Sequence, residues 1–171
     1  MIQPDVDRIF SVADEDSFRH EALALFRFQA ERCEPYRQYL DLIGVRADEV
    51  REVEQIPFLP IGLFKSHEIY CGTTPPEQIF TSSSTGGGVP SRHAMADLTI
   101  YERAFRGAFR NFYGDASEWS IYGLLPSYLE RKGSSLIYMV DRLIADAGAA
   151  GLTITPAREE KVNFTIPYYD S

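Results

Sequence analysis

The stretch that most constrains this chain is residues 79–93, Ile79-Phe80-Thr81-Ser82-Ser83-Ser84-Thr85-Gly86-Gly87-Gly88-Val89-Pro90-Ser91-Arg92-His93. A strand-like entry from Gln78 to Ser82 and a second strand pattern from Arg92 to Ala96 flank a hydroxyl- and glycine-rich connection. That connection is too long for an ordinary hairpin turn, so two paired strands around a working loop are expected. Glycines let the backbone turn through positive φ and approach a ligand closely, so that successive N–H groups converge on one anion. The hydroxyls add donors that need no fixed rotamer, and Arg92 adds a cation. The stretch therefore reads as a phosphate-binding loop whose candidate ligand-holding residues are Thr81, Ser82, Ser83, Ser84, Thr85, Gly86, Gly87 and Arg92. No Gly-Lys pair occurs anywhere, which sets aside the P-loop, and the glycine spacing is not the Gly-x-Gly-x-x-Gly that opens a dinucleotide-binding helix. A flexible Ser/Gly linker has the same composition. The apolar pattern before the glycines and Arg92-His93 after them favour the anion loop.

The loop sits in a chain of 171 residues, long enough for a domain with a real core and short for a two-domain enzyme. With 44% hydrophobic and 13% aromatic residues the chain should fold. A formal net charge of −8 and the lack of a basic stripe argue against nucleic-acid binding. No apolar run approaches a membrane span and the N-terminal residues do not resemble a signal peptide, so a cytoplasmic protein is expected. Cys33 and Cys71 are expected to stay reduced there.

Along the chain, residues 5–44 read as helical. Ile9, Phe10 and Val12 open the segment, Asp16 or Ser17 caps a longer helix through Phe26 and Ala30, Pro35 interrupts it, and Tyr36 to Leu42 ends at Gly44. His20 reads as a solvated surface residue. Asp48 to Glu54 is a charged, helical turn. It leads into a stiff apolar connector around Pro57 and Pro60 that is expected to cross the core; in it Lys65 and His67 either snorkel to solvent or face an anionic ligand. Asp97 caps an amphipathic helix with Leu98, Tyr101, Phe105, Ala108, Phe109 and Phe112 on one face, a solvated arginine face opposite, and a stop at Gly114. Trp119 to Leu125 reads as a buried strand. Ser134 caps a helix burying Leu136, Met139, Val140, Leu143, Ile144 and Ala147, which together suggest a βαβ unit. Residues 151–171 offer one or two short strands, including Leu152 to Thr155. The fold class expected is α/β: an N-terminal helical segment, 1–56, and an α/β part, 57–171, carrying loop 80–93 on a small mixed sheet flanked by helices. These form one domain or part of one.

The run Phe80 to His93 resembles the Ser-Ser-Gly-Thr-Thr-Gly-x-Pro-Lys phosphate loop of the acyl-adenylate-forming enzymes, and is most similar to the acyl-protein synthetases of bacterial luminescence. Thr81, Ser82, Ser83, Thr85, Gly87, Pro90, Ser91, Arg92 and His93 match; Ser84 replaces a glycine and Gly86 a threonine. Residues 57–68, 124–130 and 134–140 agree in the same order, so the resemblance runs from residue 9 to 148. It implies the N-terminal part of that family's large domain, with ATP and Mg²⁺ as cofactors and a fatty or other carboxylic acid as substrate. The acid would be activated as an acyl-adenylate and passed to a thiol. The family's Tyr-Gly-x-Thr-Glu motif has no counterpart, and neither cysteine aligns with its acyl-accepting cysteine. The chain is thus expected to be a fragment, a split gene product or a reduced homologue, completed by a C-terminal polypeptide or partner subunit. The other expectation is a non-catalytic interaction module that keeps the fold and binds nucleotide weakly or not at all.

Overall fold

The computed structural model describes residues 4–82, 88–123, 133–147 and 152–153. The chain forms two compact units, Met1–Tyr101 and Glu102–Ser171, and the helical segment to residue 56 is part of the first.

In the first unit the helices α1 (Val6–Phe10), α2 (Glu15–Arg32) and α3 (Glu34–Leu42) follow one another closely. The α2 N-cap is Asp14, two residues ahead of the expected Asp16 and three ahead of Ser17. Its extended backbone lets the carboxylate accept from Ser17 N–H at 2.7 Å while Ser17 Oγ accepts from Asp14 N–H at 3.2 Å, a reciprocal pair that only this spacing permits. Pro35 lies in the first turn of α3, where its missing N–H is no loss, so it starts that helix rather than breaking one. Gly44, at φ +69°, ends it.

The core of this unit is Leu23, Phe26 and Ala30 from α2, Cys33 between the helices, Tyr36 and Leu40 from α3, and Val50. The spacing of three and four residues places these side chains on facing stripes, and Phe26 meets Tyr36 edge to face at 6.0 Å. Each large side chain buried this way stabilises the fold by about 1.5–3 kcal/mol. The irregular chain that follows is tied down by its carbonyls: Arg27 donates to Val50 O at 3.1 Å and Tyr36 O–H to Pro57 O at 2.5 Å.

The proline connector does not cross the core as expected. Ile56 and Leu59 pack against the core cluster, whereas Phe58 is 88% and Ile61 79% exposed. Prolines favour polyproline II geometry with three residues per turn, so Ile56 and Leu59 share the inner side while Phe58 and Ile61 face out. The four-residue helix α4 (Leu63–Ser66) ends the connector. Strands β1 (Gln78–Thr81) and β2 (Arg92–Met95) then pair antiparallel, as expected, with Thr81 opposite Arg92 and Gln78 opposite Met95.

Helix α5 (Leu98–Tyr113) begins in the first unit and continues in the second. Its buried side is rotated from the expected one: Phe105 is buried and Glu102 and Arg106 are half-buried, while Ala108 and Phe112 are exposed. The cause is an ion-pair network. Arg106 donates to Asp146 on α6 (Ser135–Asp146) at 2.6 Å and to Glu102, and Glu102 accepts from Tyr138 O–H. Hydrogen bonds from Tyr138 and Arg106 hold the Glu102 carboxyl below its ordinary range, and its carboxylate neighbours push the Arg106 guanidinium up. The arginine expected in a solvated face is therefore a clasp.

Ser134 caps α6 as expected, accepting from Ile137 N–H. Ile137, Tyr138 and Leu143 are its buried residues; Leu136 is exposed, and Met139, Val140, Ile144 and Ala147 are half-buried. The shift follows from Tyr138, whose ring turns inward to reach Glu102. Strands β3 (Tyr122–Gly123) and β4 (Leu152–Thr153) are parallel and flank α6 in sequence, which gives the expected βαβ order. Trp119 and Tyr122 are nevertheless exposed, and only Gly123 of the 119–123 stretch is buried. Among the described residues the antiparallel and parallel pairs form two separate two-stranded sheets, one per unit, in place of one mixed sheet. The stop at Gly148, the run 124–125 and the pieces at 154–155 and 163–169 lie outside the described residues.

Candidate functional site

The site is built on the β1–β2 hairpin. Phe80 is 4% exposed and its ring lies 5.4 Å from Tyr101, which anchors β1. Across the strand pair its partner His93 meets Phe64 edge-on at 5.9 Å, which ties β2 to α4. Because side chains alternate along a strand, Thr81, Ile79, Arg92 and Ala94 share the opposite face.

Past the last strand pair, Ser82 and Ser91 close the base of the loop. Ser82 N–H donates to Ser91 O at 3.0 Å, Ser91 N–H to Ser82 Oγ at 2.9 Å, and Ser91 O–H to Ser82 Oγ at 3.0 Å. With both lone pairs of Ser82 Oγ engaged, its own proton is left to donate to a ligand. Of the residues expected to hold phosphate, Thr81, Ser82 and Arg92 are thus gathered at the open end of the hairpin, all exposed. Ser83, Ser84, Thr85, Gly86 and Gly87 lie outside the described residues.

Beside Arg92, on the face shared with Ile79 and Ala94, is a concavity of about 200 Å³ whose other wall carries Lys65, His67 and Glu68. Of the two options left open by sequence for Lys65 and His67, exposure to solvent is the one observed, and both residues border one concavity with Arg92. Ser91 and Glu68 entered the sequence reading only through the family resemblance and not as ligand-holding residues; the register of the hairpin and the turn of α4 bring them here. His20, by contrast, is the exposed surface residue expected, 3.8 Å from Glu21.

The start of α5 is not part of this anion site. Its Leu98 N–H donates to Glu77 Oε2 at 2.8 Å and its Thr99 N–H to Asp97 Oδ1 at 2.8 Å, so carboxylates of the chain already occupy these donors. The bonds from Thr99 lower the Asp97 carboxyl below its ordinary range.

The exposed hydroxyls of Thr81 and Ser82 beside Arg92, with Lys65 on the other wall of the concavity, suit an oxyanion, and among the described residues Glu68 is the one acidic side chain lining the concavity. They do not suit a protein-held Mg²⁺, which asks for carboxylate oxygens in octahedral array; among the described residues no group of three His, Cys, Asp or Glu could hold a metal. Among the described residues no helix is long and apolar enough to cross a membrane. No family model matches the chain, and no curated protein or solved structure matches it significantly.

Proposed function

We propose that this chain is the phosphate-holding N-terminal portion of an ATP-dependent, acyl-protein synthetase-like ligase, active when further polypeptide completes the site. The observation that carries the reading is the open end of the hairpin, where Thr81, Ser82 and Arg92 present hydroxyl and guanidinium donors around a loop base pinned by Ser91. In the reaction inferred, a fatty or other carboxylate oxygen bonds to the α-phosphorus of ATP while the bond to the bridging oxygen breaks and pyrophosphate departs. The acyl group then passes to a thiol with release of AMP. Donors fixed around the departing pyrophosphate stabilise the charge it gathers in the transition state. Phosphate donors fix only one end of a nucleotide, so the chain alone is expected to bind without turnover.

Titration with ATP, pyrophosphate and adenosine, followed by the backbone amides of Phe80–Ser82 and Gly88–His93, tests this. ATP and pyrophosphate should move the same amides and compete; adenosine should move none. A hairpin indifferent to millimolar pyrophosphate would overturn the reading and favour the non-catalytic interaction module, for which the exposed Phe58 and Ile61 speak. Fatty-acid-dependent exchange of labelled pyrophosphate into ATP by the 171-residue chain alone, lost in Thr85→Ala, would show that no second polypeptide is needed.

A further inference from the structure

Lys65 and His67 are absent from the set of loop donors, yet they border the same concavity as Arg92. We infer that this concavity is a pyrophosphate subsite in which Lys65, His67 and Arg92 grip the anion from two sides; the inference rests on the phosphate-loop reading and extends it to α4. Three observations carry it.

The first is charge. In a chain of formal charge −8, Lys65 and Arg92 outnumber the single carboxylate of Glu68 around one small concavity. Among the described residues neither cation forms an ion pair, in contrast to Arg8, Arg19, Arg46 and Arg106, each of which does. Two cations held near each other without a carboxylate partner repel unless an anion lies between them.

The second is donor geometry. Ser66 Oγ lies 2.8 Å from His67 Nδ1. In the tautomer where the Ser66 hydroxyl donates to Nδ1, the imidazole proton sits on Nε2 and the ring offers an N–H donor to an anion. Lys65 adds three rotatable donors and Arg92 a planar fork, a set matched to the several oxygens of a polyphosphate rather than to the two of a carboxylate.

The third is position. Ile79 and Ala94, which line the concavity, are cross-strand partners, and Thr81 opposite Arg92 continues the same face towards the loop. An anion released at the loop therefore meets the concavity one strand pair away. The apolar side chains lower the local polarity and strengthen each charge-assisted bond.

The test uses the whole chain and pyrophosphate as probe, with acetate at equal ionic strength as carboxylate control. Pyrophosphate should shift the His67 ring protons and the α4 amides. Lys65→Met should weaken its binding about fivefold, roughly 1 kcal/mol by the logarithmic relation. Lys65→Arg should restore it, and Glu68→Gln should tighten it. If pyrophosphate moves the hairpin amides while the His67 ring stays still and Lys65→Met binds like the parent chain, the subsite is refuted and the phosphate-loop reading stands. If Lys65→Met weakens binding while Thr81→Val and Ser82→Ala do not, the subsite stands and the loop reading falls. Equal shifts with acetate would refute the polyphosphate assignment, and silence with pyrophosphate at millimolar concentration would refute both.

Discussion

At the scale of single residues, the cysteines show how burial sets chemistry. Cys33 is 2% exposed, and Cys71 packs against the same cluster. Burial, together with Cys33 beside it, pushes the Cys71 thiol from its ordinary 9.0 up to about 11. Burial also pushes the Tyr36 phenol from 10.0 up to about 12. Both groups hold their proton more tightly when folded. Their contribution is therefore complete below the ordinary values and is lost as pH rises through the folded ones. Unfolding followed against pH should show stability falling between about 9 and 12, and Cys71→Ala should remove the part between 9 and 11. A flat profile across that range would contradict the burial of both groups. The same protonation explains why Cys71 should react slowly with alkylating reagents at neutral pH, since the thiolate is the nucleophile.

At the scale of elements, close approach is governed by what is missing from a side chain. A Cβ on Gly123 of β3 would lie 3.0 Å from Val140 Cγ1 and 3.2 Å from Ile144 Cδ1 of α6. The valine is stiff in a helix and cannot swing away, so Gly123→Ala should cost about 1 kcal/mol after allowance for its less flexible unfolded chain. Val140→Ala in the same chain should recover part of that loss, and strict additivity of the two changes would count against the contact. Element type was largely legible in the sequence. The α5 cap Asp97, the α6 cap Ser134, the stop at Gly114 and the β1–β2 pair all stand where local chemistry put them. Which side an element buries was less legible. The Glu102–Arg106–Asp146 clasp and the Tyr138 bond turn α5 and α6 from their apolar stripes, and partners 36 and 40 residues apart leave no local signal. The candidate site was legible to the same degree: Thr81, Ser82 and Arg92 from composition, while Ser91 and Glu68 appeared only within the resemblance and took their place at the site from the hairpin register and the turn of α4.

At the scale of the whole molecule, charge is the property read most directly. The sequence gives an isoelectric point near 4.9. Among the described residues, Asp14, Asp48, Asp97, Glu102 and Asp115 are all held below their ordinary range by hydrogen bonds they accept. Carboxylates that stay ionised at lower pH move the neutral point down, so the folded chain should focus below the same chain in urea. Equal positions in the two conditions would show these bonds to be absent in solution. The hydrogen bonds that join separate segments of the first unit have a kinetic counterpart. Arg27 to Val50, Tyr36 to Pro57 and Glu77 to Leu98 span 23, 21 and 21 residues, and the hairpin joins neighbours in sequence. Short spans close quickly because little chain entropy is lost before contacts form. The unit carrying the hairpin can therefore assemble piece by piece as it leaves the ribosome, with Phe26 and Tyr36 buried before Arg92 has been synthesised.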